Sequence, residues 1–260
     1  MKNKNKKIIL TLMAVIGLMM CFTQNIYAAP NNVDLPQLNI SLGDGSGSPQ
    51  EYVSSIKILI FFTIISLMPS IVIMVTSFTR IIVVFSFLKS AMGVQQAIPN
   101  QILVGLALFL TIFIMKPVYT QMNDNGIQPY IENQITQEQA IEEAGKPLKE
   151  FLADQTRQKD LEMFVELSGV DPDSINEPND LSFITLIPAF AISELKTAFL
   201  MGFLIYLPFI VIDMVVSSVL MSMGMFMLPP TMISLPFKLI LFVMVDGWQL
   251  LVESLIKSFS

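Results

Sequence analysis

Apolar residues are concentrated in a few long segments that are separated by polar ones. Residues 58–79 carry no charged side chain over 22 positions, and as a helix they would be about 33 Å long, enough to cross the hydrocarbon of a bilayer. Residues 102–115 form a second apolar segment, which as a helix would measure only about 21 Å and is short for a simple span. This pattern predicts a first helical hairpin over 54–115, with a kink at Pro69.

The C-terminal part of the chain is equally apolar but is repeatedly interrupted. Pro188 and Pro208 should break one segment that ends at Asp213, because proline removes a helical hydrogen bond. Further breaks are expected at Pro229, Pro230 and Pro236, and a last segment over roughly 237–257 contains Lys238 and Asp246. We therefore expect broken, proline-kinked helical hairpins over 182–260.

The middle of the chain has a different character. Residues 116–180 contain 14 acidic and 5 basic side chains, and their apolar residues recur at roughly helical spacing. Thr136 and Gln139 have the spacing of a capping box, Gly145–Pro147 should interrupt the helix that follows, and Gly169 is a candidate helix end. We expect a small acidic α-helical domain over 116–181, whose acidity serves solubility.

The N-terminus has the pattern of a processing segment. Four lysines in residues 1–7 precede an apolar run over 8–22, followed by the small residues Ala28 and Ala29, which is the order of a secretory signal peptide. We expect residues 1–28 to be cleaved off after Ala28, with an uncleaved signal anchor as the alternative. Residues 29–53 contain proline and a run of glycine and serine, which predicts a flexible leader.

Composition narrows the range of functions. The chain is 53% hydrophobic and 14% charged, whereas soluble domains carry about 25% charged residues, so a free-standing cytosolic enzyme is excluded. The absence of histidine and the single cysteine, Cys21, exclude histidine-dependent nucleophiles, histidine-ligated metals and an internal disulfide. The sequence has no P-loop for a nucleotide, and its net charge of −6 offers no basic surface to nucleic acid. We expect no catalytic residue, no metal and no cofactor.

The charge distribution predicts a topology of about four spans. Cleavage of the signal peptide leaves the new N-terminus outside, and the positive-inside rule then puts Arg80 and Lys89 in the cytoplasm. Residues 102–115 return outward, so the acidic block lies in the periplasm. The C-terminal segments add one more hairpin.

Six charged residues lie within or beside the apolar segments, namely Arg80, Glu194, Lys196, Asp213, Lys238 and Asp246. Ionisable residues are costly in a membrane, so they usually pair or line a polar path. Glu194 and Lys196 are two positions apart and point to different sides of a helix. We therefore expect their partners on another segment or subunit, and inter-subunit ion pairs for the whole set.

Two other functions use the same charges. A small-solute or ion transporter would depend on Glu194, Lys196, Asp213 and Asp246. An aspartyl intramembrane protease would use the two aspartates, but the sequence around Asp246 lacks a glycine two residues before it, which disfavours this alternative.

Methionine occupies alternate positions in the most unusual stretch of the chain, residues 220–230. The residues concerned are Met221, Met223, Met225 and Met227, with Gly224, Phe226, Pro229 and Pro230 among them. Glycine and proline favour an irregular loop, in which alternate side chains lie on one side. Because methionine is unbranched and adaptable, a ring of such loops could close around objects of varying shape. The alternative is ordinary apolar packing.

Long ordered strings of this sequence resemble the FliP family of the bacterial flagellar export apparatus, which has a counterpart in injectisomes. They are TSFTRII at 76–82, PNQILVGLALFLT at 99–111, PAFAISELKTAF at 188–199, the two prolines at 229–230, LPFKL at 235–239 and VDGWQLL at 245–251. The likeness covers nearly all of residues 55–259. Two positions depart from it: Leu200 stands where the family usually has a polar residue, and Phe226 interrupts what is often a run of three methionines.

The resemblance implies a protein-export gate. Family members form a ring of five copies, which one FliR and several FliQ subunits complete into a helical funnel within the flagellar basal body, largely on the periplasmic side of the inner membrane. It implies that the methionine-rich loop, here Met221, Met223, Met225, Phe226 and Met227, seals a conduit for unfolded flagellar subunits. The expected fold is thus all-α and membrane-associated, assembling into a homo-oligomeric funnel. Rod proteins and membrane lipid are further expected partners, and a purely structural nucleus for basal-body assembly is the remaining alternative.

Overall fold

The computed structural model describes residues 49–95, 97–169, 175 and 177–259, with side chains from residue 56 onward. Throughout these residues the regular secondary structure is helical, with no strand, so the all-α prediction is confirmed. The signal peptide and residues 29–48 of the predicted leader lie outside the described residues. The first described helix begins at Pro49, inside the segment that composition assigned to the leader.

The helices follow one another along the chain. They are α1 (Pro49–Met74), α2 (Phe78–Met92), α3 (Asn100–Met122), a π-helical turn (Asn123–Ile127), α4 (Gln128–Ile131), α5 (Gln137–Gln155), α6 (Gln158–Ser168), a 3₁₀ turn (Pro178–Asp180), α7 (Phe183–Ser222), α8 (Pro230–Met244) and α9 (Gly247–Lys257). The chain divides into two compact units, Met1–Leu59 and Ile60–Ser260. All packing described below lies within the second unit.

The larger core is built around α2. Ile81, Val84, Phe85 and Leu88 recur at the spacing of one helix face, and each is at most 1% exposed. This face packs against residues of α3, α7, α8 and α9. Gly93 ends α2 in the left-handed region, with a φ of 75°, which a glycine adopts at little cost.

A smaller core lies where α5 and α6 pack against the start of α7. Leu152 of α5 and Val165 of α6 pack with Leu186 and Phe190, which belong to the first turns of α7. The capping box predicted at Thr136 and Gln139 is present at the start of α5, and α6 ends at Gly169 as expected. The N-terminal part of α7 is therefore apolar because it completes this core.

The second apolar segment extends beyond the limits set by its hydropathy. The helix that begins at Asn100 continues through the π-helical turn and α4 to Ile131, so it runs past residue 116, where the acidic domain is predicted to begin. Close packing explains the extension, because a Cβ added at Gly126 would lie 2.6 Å from the carbonyl oxygen of Ala140 in α5. A polar helix can thus continue where a neighbouring helix covers it.

Several predicted interruptions are wrong. Pro147 lies inside α5, α7 runs for 40 residues through Pro188, Pro208 and Asp213, and α8 includes Pro236. Pro147 is buried and Asp213 is paired with Lys238 of α8, so tertiary contacts outweigh the local cost of these two residues. The break at Pro229 is confirmed, since the helical chain stops before it and resumes at Pro230.

Three helices are long and apolar enough to cross a membrane, and the bent pair α8 and α9, which meet at 63°, raises the number to four. This agrees with the count expected from hydropathy. Many apolar side chains on these helices are exposed in the single chain, for example Phe109 of α3 and Met244 of α8, which are 75% and 78% exposed. Such surfaces require lipid or other protein to cover them.

Candidate functional site

The methionine-rich stretch lies at the junction of α7 and α8. Because α7 ends at Ser222 and α8 begins at Pro230, residues 223–229 form a loop and Met221 lies on the last turn of α7. The irregular conformation expected from Gly224 and the two prolines is confirmed for these seven residues.

Local hydrogen bonds fix how the loop leaves α7. The N–H of Met225 donates to the carbonyl of Leu220 and the N–H of Gly224 donates to that of Met221, both at 3.0 Å. These two bonds form a Schellman motif, in which the glycine takes a positive φ, here 76°. At the other end Pro230 starts α8, where no N–H donor is needed. The two ends of the loop are thus determined by the sequence itself.

The loop presents apolar side chains at the surface of the chain. Met227 is 98% exposed, Phe226 77% and Met223 67%, while Met225 is 39% exposed. A contiguous exposed apolar patch of this kind indicates an interaction surface. Its thioether side chains adapt to contacts of different shape.

A buried ion pair connects α2 to α7. The Nε of Arg80 donates to Oε2 of Glu194 at 2.9 Å, and Nη2 donates to Oε1. The two side chains are 3% and 0% exposed. This is the bidentate geometry in which arginine and carboxylate interact most strongly.

The remaining donors of Arg80 are also satisfied. Nη1 donates to the carbonyl and the hydroxyl oxygens of Ser258 at 2.8 and 2.9 Å, and Nη2 donates to Oε1 of Gln155 at 3.3 Å. Together with the bonds to Glu194, this gives an acceptor to each of the five N–H groups of a guanidinium. The ring centroid of Phe259 lies 3.7 Å from Cζ, a cation–π contact. Arg80 therefore joins α2, the end of α5, α7 and the residues after α9.

These contacts overturn the topology predicted from charge. That topology placed Arg80 in the cytoplasm and the acidic domain, which includes Gln155, in the periplasm. Two hydrogen-bonded side chains cannot lie on opposite sides of a hydrocarbon layer of about 30 Å. The rule fails here because it treats Arg80 as a solvated loop residue, whereas its side chain is buried.

A second ion pair connects α7 to α8. Nζ of Lys238 lies 2.7 Å from Oδ2 of Asp213 and donates to the carbonyl of Ala91 at 3.2 Å. The hydroxyl of Ser234 donates to the other carboxylate oxygen, Oδ1. Because Lys238 and Ser234 neutralise and solvate the carboxylate, α7 continues through Asp213 to the loop.

The other two candidate charges have different surroundings. Nζ of Lys196 lies 3.5 Å from Oδ1 of Asp160 in α6, and Lys196 is 55% exposed. Asp246 lies at the bend between α8 and α9 with a positive φ of 49°. Its carboxylate makes no capping hydrogen bond to α9.

Glu194 and Lys196 thus have partners on other segments of the same chain. The sequence left open whether these partners would lie on another segment or on another subunit. Pairs within the chain account for Arg80, Glu194, Lys196, Asp213 and Lys238, and contacts between subunits through the six charged residues remain a prediction. The polar residues that complete these sites were not predicted from the sequence; they are Gln155, Asp160, Ser234 and Ser258. Ser234 carried a usable signal, since it lies one helical turn from Lys238 in an apolar helix.

The geometry does not favour catalysis at the two aspartates. The oxygens of Asp213 accept from Ser234 and Lys238, whereas an aspartyl protease needs two carboxylates that share a proton. Over the described residues, no group of three or more histidine, cysteine, aspartate or glutamate side chains could hold a metal ion. The site therefore consists of an exposed apolar loop and the paired charges that hold the helices beside it.

Comparison with known proteins identifies the family. The FliP family model matches residues 61–255. A flagellar biosynthetic protein FliP of Bacillus subtilis (strain 168) is 51% identical over 215 residues, which are 82% of this chain and 96% of the relative. The protein of the same name in Aquifex aeolicus (strain VF5) is 47% identical, over 86% of this chain and 92% of its own length. The resemblance carried by the strings between residues 76 and 251 is thereby confirmed, and this chain belongs to the FliP family.

Proposed function

We propose that this chain is a component of the flagellar type III protein export gate and forms part of the ring-shaped conduit through which unfolded flagellar subunits are exported during flagellum assembly. Relatives that match most of its length are named flagellar biosynthetic proteins. The observation that carries the proposal is the loop of exposed methionines, which a tight turn and a proline pair fix at the end of α7.

The proposed assembly is a ring of five copies in the bacterial inner membrane and flagellar basal body, largely on the periplasmic side, with FliQ-like and FliR-like subunits. Three or four helices suit a membrane location, and their exposed apolar residues suit subunit contacts. Rod proteins, membrane lipid and the exported chains themselves are the further proposed partners.

In such a ring the loop residues Met221, Met223, Met225, Phe226 and Met227 would meet around the axis. Their apolar side chains would exclude water and ions from the closed pore. When an unfolded chain enters, unbranched thioether side chains can move aside and contact dissimilar sequences without selecting among them. The gate is therefore passive, and the energy for transport comes from other components.

The ion pair of α7 and α8 gives this loop a fixed base. Asp213 precedes the end of α7 by nine residues and Lys238 follows Pro230 by eight, so both stems are joined about 13 Å from the loop. Arg80 and Glu194 hold α7 further from the loop. We infer that opening moves the loop while its helical stems stay together.

Replacing Met223, Met225 and Met227 with alanine tests the seal. We expect ions and small molecules to leak across the inner membrane of cells that carry the variant gate, because alanine fills less of the pore than methionine. Met163 and Met214 are also exposed, at 41% and 65%, and lie outside the loop, so their double alanine variant is the matched control. Unchanged leakage in the loop variant, at normal levels of assembled complex, would refute the role of the loop.

The transporter alternative makes a different prediction. It requires transport by the chain alone and loss of that transport when Glu194 or Asp213 is neutralised. Both residues are bound to a cation of the same chain, and no described contact favours a substrate at either carboxylate. Conductance that requires the partner subunits and responds to the methionine loop would support the gate instead.

A further inference from the structure

An apolar surface with one anion lies at the bend between α8 and α9. Val243, Met244 and Trp248 are 72%, 78% and 41% exposed around Asp246. Within the described part of the chain, no side chain donates to the Asp246 carboxylate. The buried charges in apolar helices elsewhere, at Arg80 and Lys238, are paired.

The backbone at this bend has a conformation that glycine adopts more readily than aspartate. Asp246 has φ and ψ of 49° and 47°, a left-handed conformation that a Cβ disfavours and that glycine adopts freely. The following residue must be glycine, because a Cβ at Gly247 would lie 2.3 Å from the ring of Phe242. Phe242 in turn packs against Trp248 and Phe209. The aromatic packing fixes the bend, and Asp246 is exposed at the surface beside it.

A carboxylate in an apolar surface is stable only when a cation joins it on burial. A second copy of this chain could offer Lys116 as that cation. Among the cations on the apolar helices of the Ile60–Ser260 unit, Lys116 is the one for which the described contacts show no ion pair and no side-chain hydrogen bond. It lies 16 residues, about 24 Å, along α3 from Asn100, whose side chain is bonded to Lys89. The bend lies near the Asn100 end of α3. Val245 and Gly247 of the bend line one cavity with Leu88, and the next residue, Lys89, is the one bonded to Asn100. Parallel copies in a ring would therefore not bring Lys116 to Asp246.

We infer that the bend, formed by Val243, Met244, Val245, Asp246 and Trp248, is the docking surface for a second type of subunit, a helical protein that presents a lysine or arginine within an apolar face. Asp246 pairs with that cation. This inference rests on the proposed function, because it assigns one surface of the gate component to a heterologous partner.

The test uses the full chain, co-expressed with its FliQ-like and FliR-like subunits, and the mass of the intact complex in detergent. We expect Asp246→Gly to melt at the wild-type temperature or above, since it relieves the backbone, and yet to lose at least one type of partner. Asp246→Asn should lose the same partner. Glu253→Gln is the matched control: this exposed carboxylate on α9 has its own partner, Lys257, at 2.7 Å, so the variant should keep every partner.

Charge reversal identifies the occupant. Asp246→Lys should lose the partner, and a lysine or arginine of that subunit changed to glutamate should restore it. Full partner occupancy in both Asp246→Gly and Asp246→Asn would overturn the inference and leave the export-gate proposal standing. Rescue of Asp246→Lys by Lys57→Asp or Lys116→Asp in this chain would show a second copy in place of a different subunit. A wild-type chain that recruits neither subunit would overturn the proposed function, and the inference with it.

Discussion

Replacing Glu194 with alanine isolates the buried ion pair that joins α2 to α7. The substitution removes two charge-assisted hydrogen bonds from Arg80 and leaves the guanidinium with Ser258 and Gln155 as acceptors. The Arg80 side chain is 3% exposed, so bulk solvent does not reach its charge. The variant therefore contains a buried, uncompensated positive charge.

The expected cost is large. Removing one partner of a buried ion pair lowers the free energy of unfolding by about 3–5 kcal/mol. For a chain of this size each kcal/mol shifts the melting temperature by about 2–4 °C, so the decrease should be roughly 6–20 °C. Thermal unfolding of the detergent-solubilised chain, followed by circular dichroism, measures it.

The double variant Arg80→Met with Glu194→Leu separates the charge from the packing. It removes both charges and keeps apolar volume, so it should cost clearly less than Glu194→Ala alone, with a coupling energy of about 2 kcal/mol or more. The exposed pair Glu253 and Lys257 is the control, since Glu253→Ala should leave the melting temperature unchanged. The cycle also needs Arg80→Met and Glu194→Leu as single variants. If Glu194→Ala left the melting temperature unchanged, or if the double variant showed the sum of these two single effects, the buried pair would not stabilise the chain.

Three further predictions concern the helices around the loop. Asp213→Asn leaves Lys238, whose side chain is 6% exposed, without its carboxylate and should cost about 3 kcal/mol of unfolding free energy; adding Lys238→Met should recover most of this loss in the same melting assay, and no recovery would contradict the ion-pair argument. Gly202→Ala should destabilise the chain by about 1–3 kcal/mol, because the new Cβ would lie 2.5 Å from the ring of Phe87. The control Gly105→Ala has no atom within 4 Å of its Cβ and should stabilise its helix by about 0.5–1 kcal/mol. Equal effects of the two variants in chemical denaturation would refute the contact with Phe87. A chain that ends at Lys257 loses two acceptors of Arg80 and the Phe259 contact, and it should unfold with about 2–4 kcal/mol less free energy; wild-type resistance to proteolysis would show that the C-terminal residues do not stabilise the chain.

The sequence by itself determined the features that depend on neighbouring residues. Gly224 and the prolines at 229–230 predicted the loop, because a positive φ and a missing N–H are properties of single residues. The capping box at Thr136 and the end of α6 at Gly169 were predicted for the same reason. The long apolar segments predicted the helices that could span a membrane.

Tertiary structure decided the features that depend on residues far apart in the chain. Arg80 lies 114 positions from Glu194 and 178 from Ser258, so no local pattern could show that they meet. The same limit produced the wrong topology, because the sequence shows where a charge stands and not what buries it. It also explains why α7 continues through Asp213, since Lys238 of α8 supplies the counter-charge that a local interpretation assumes to be missing.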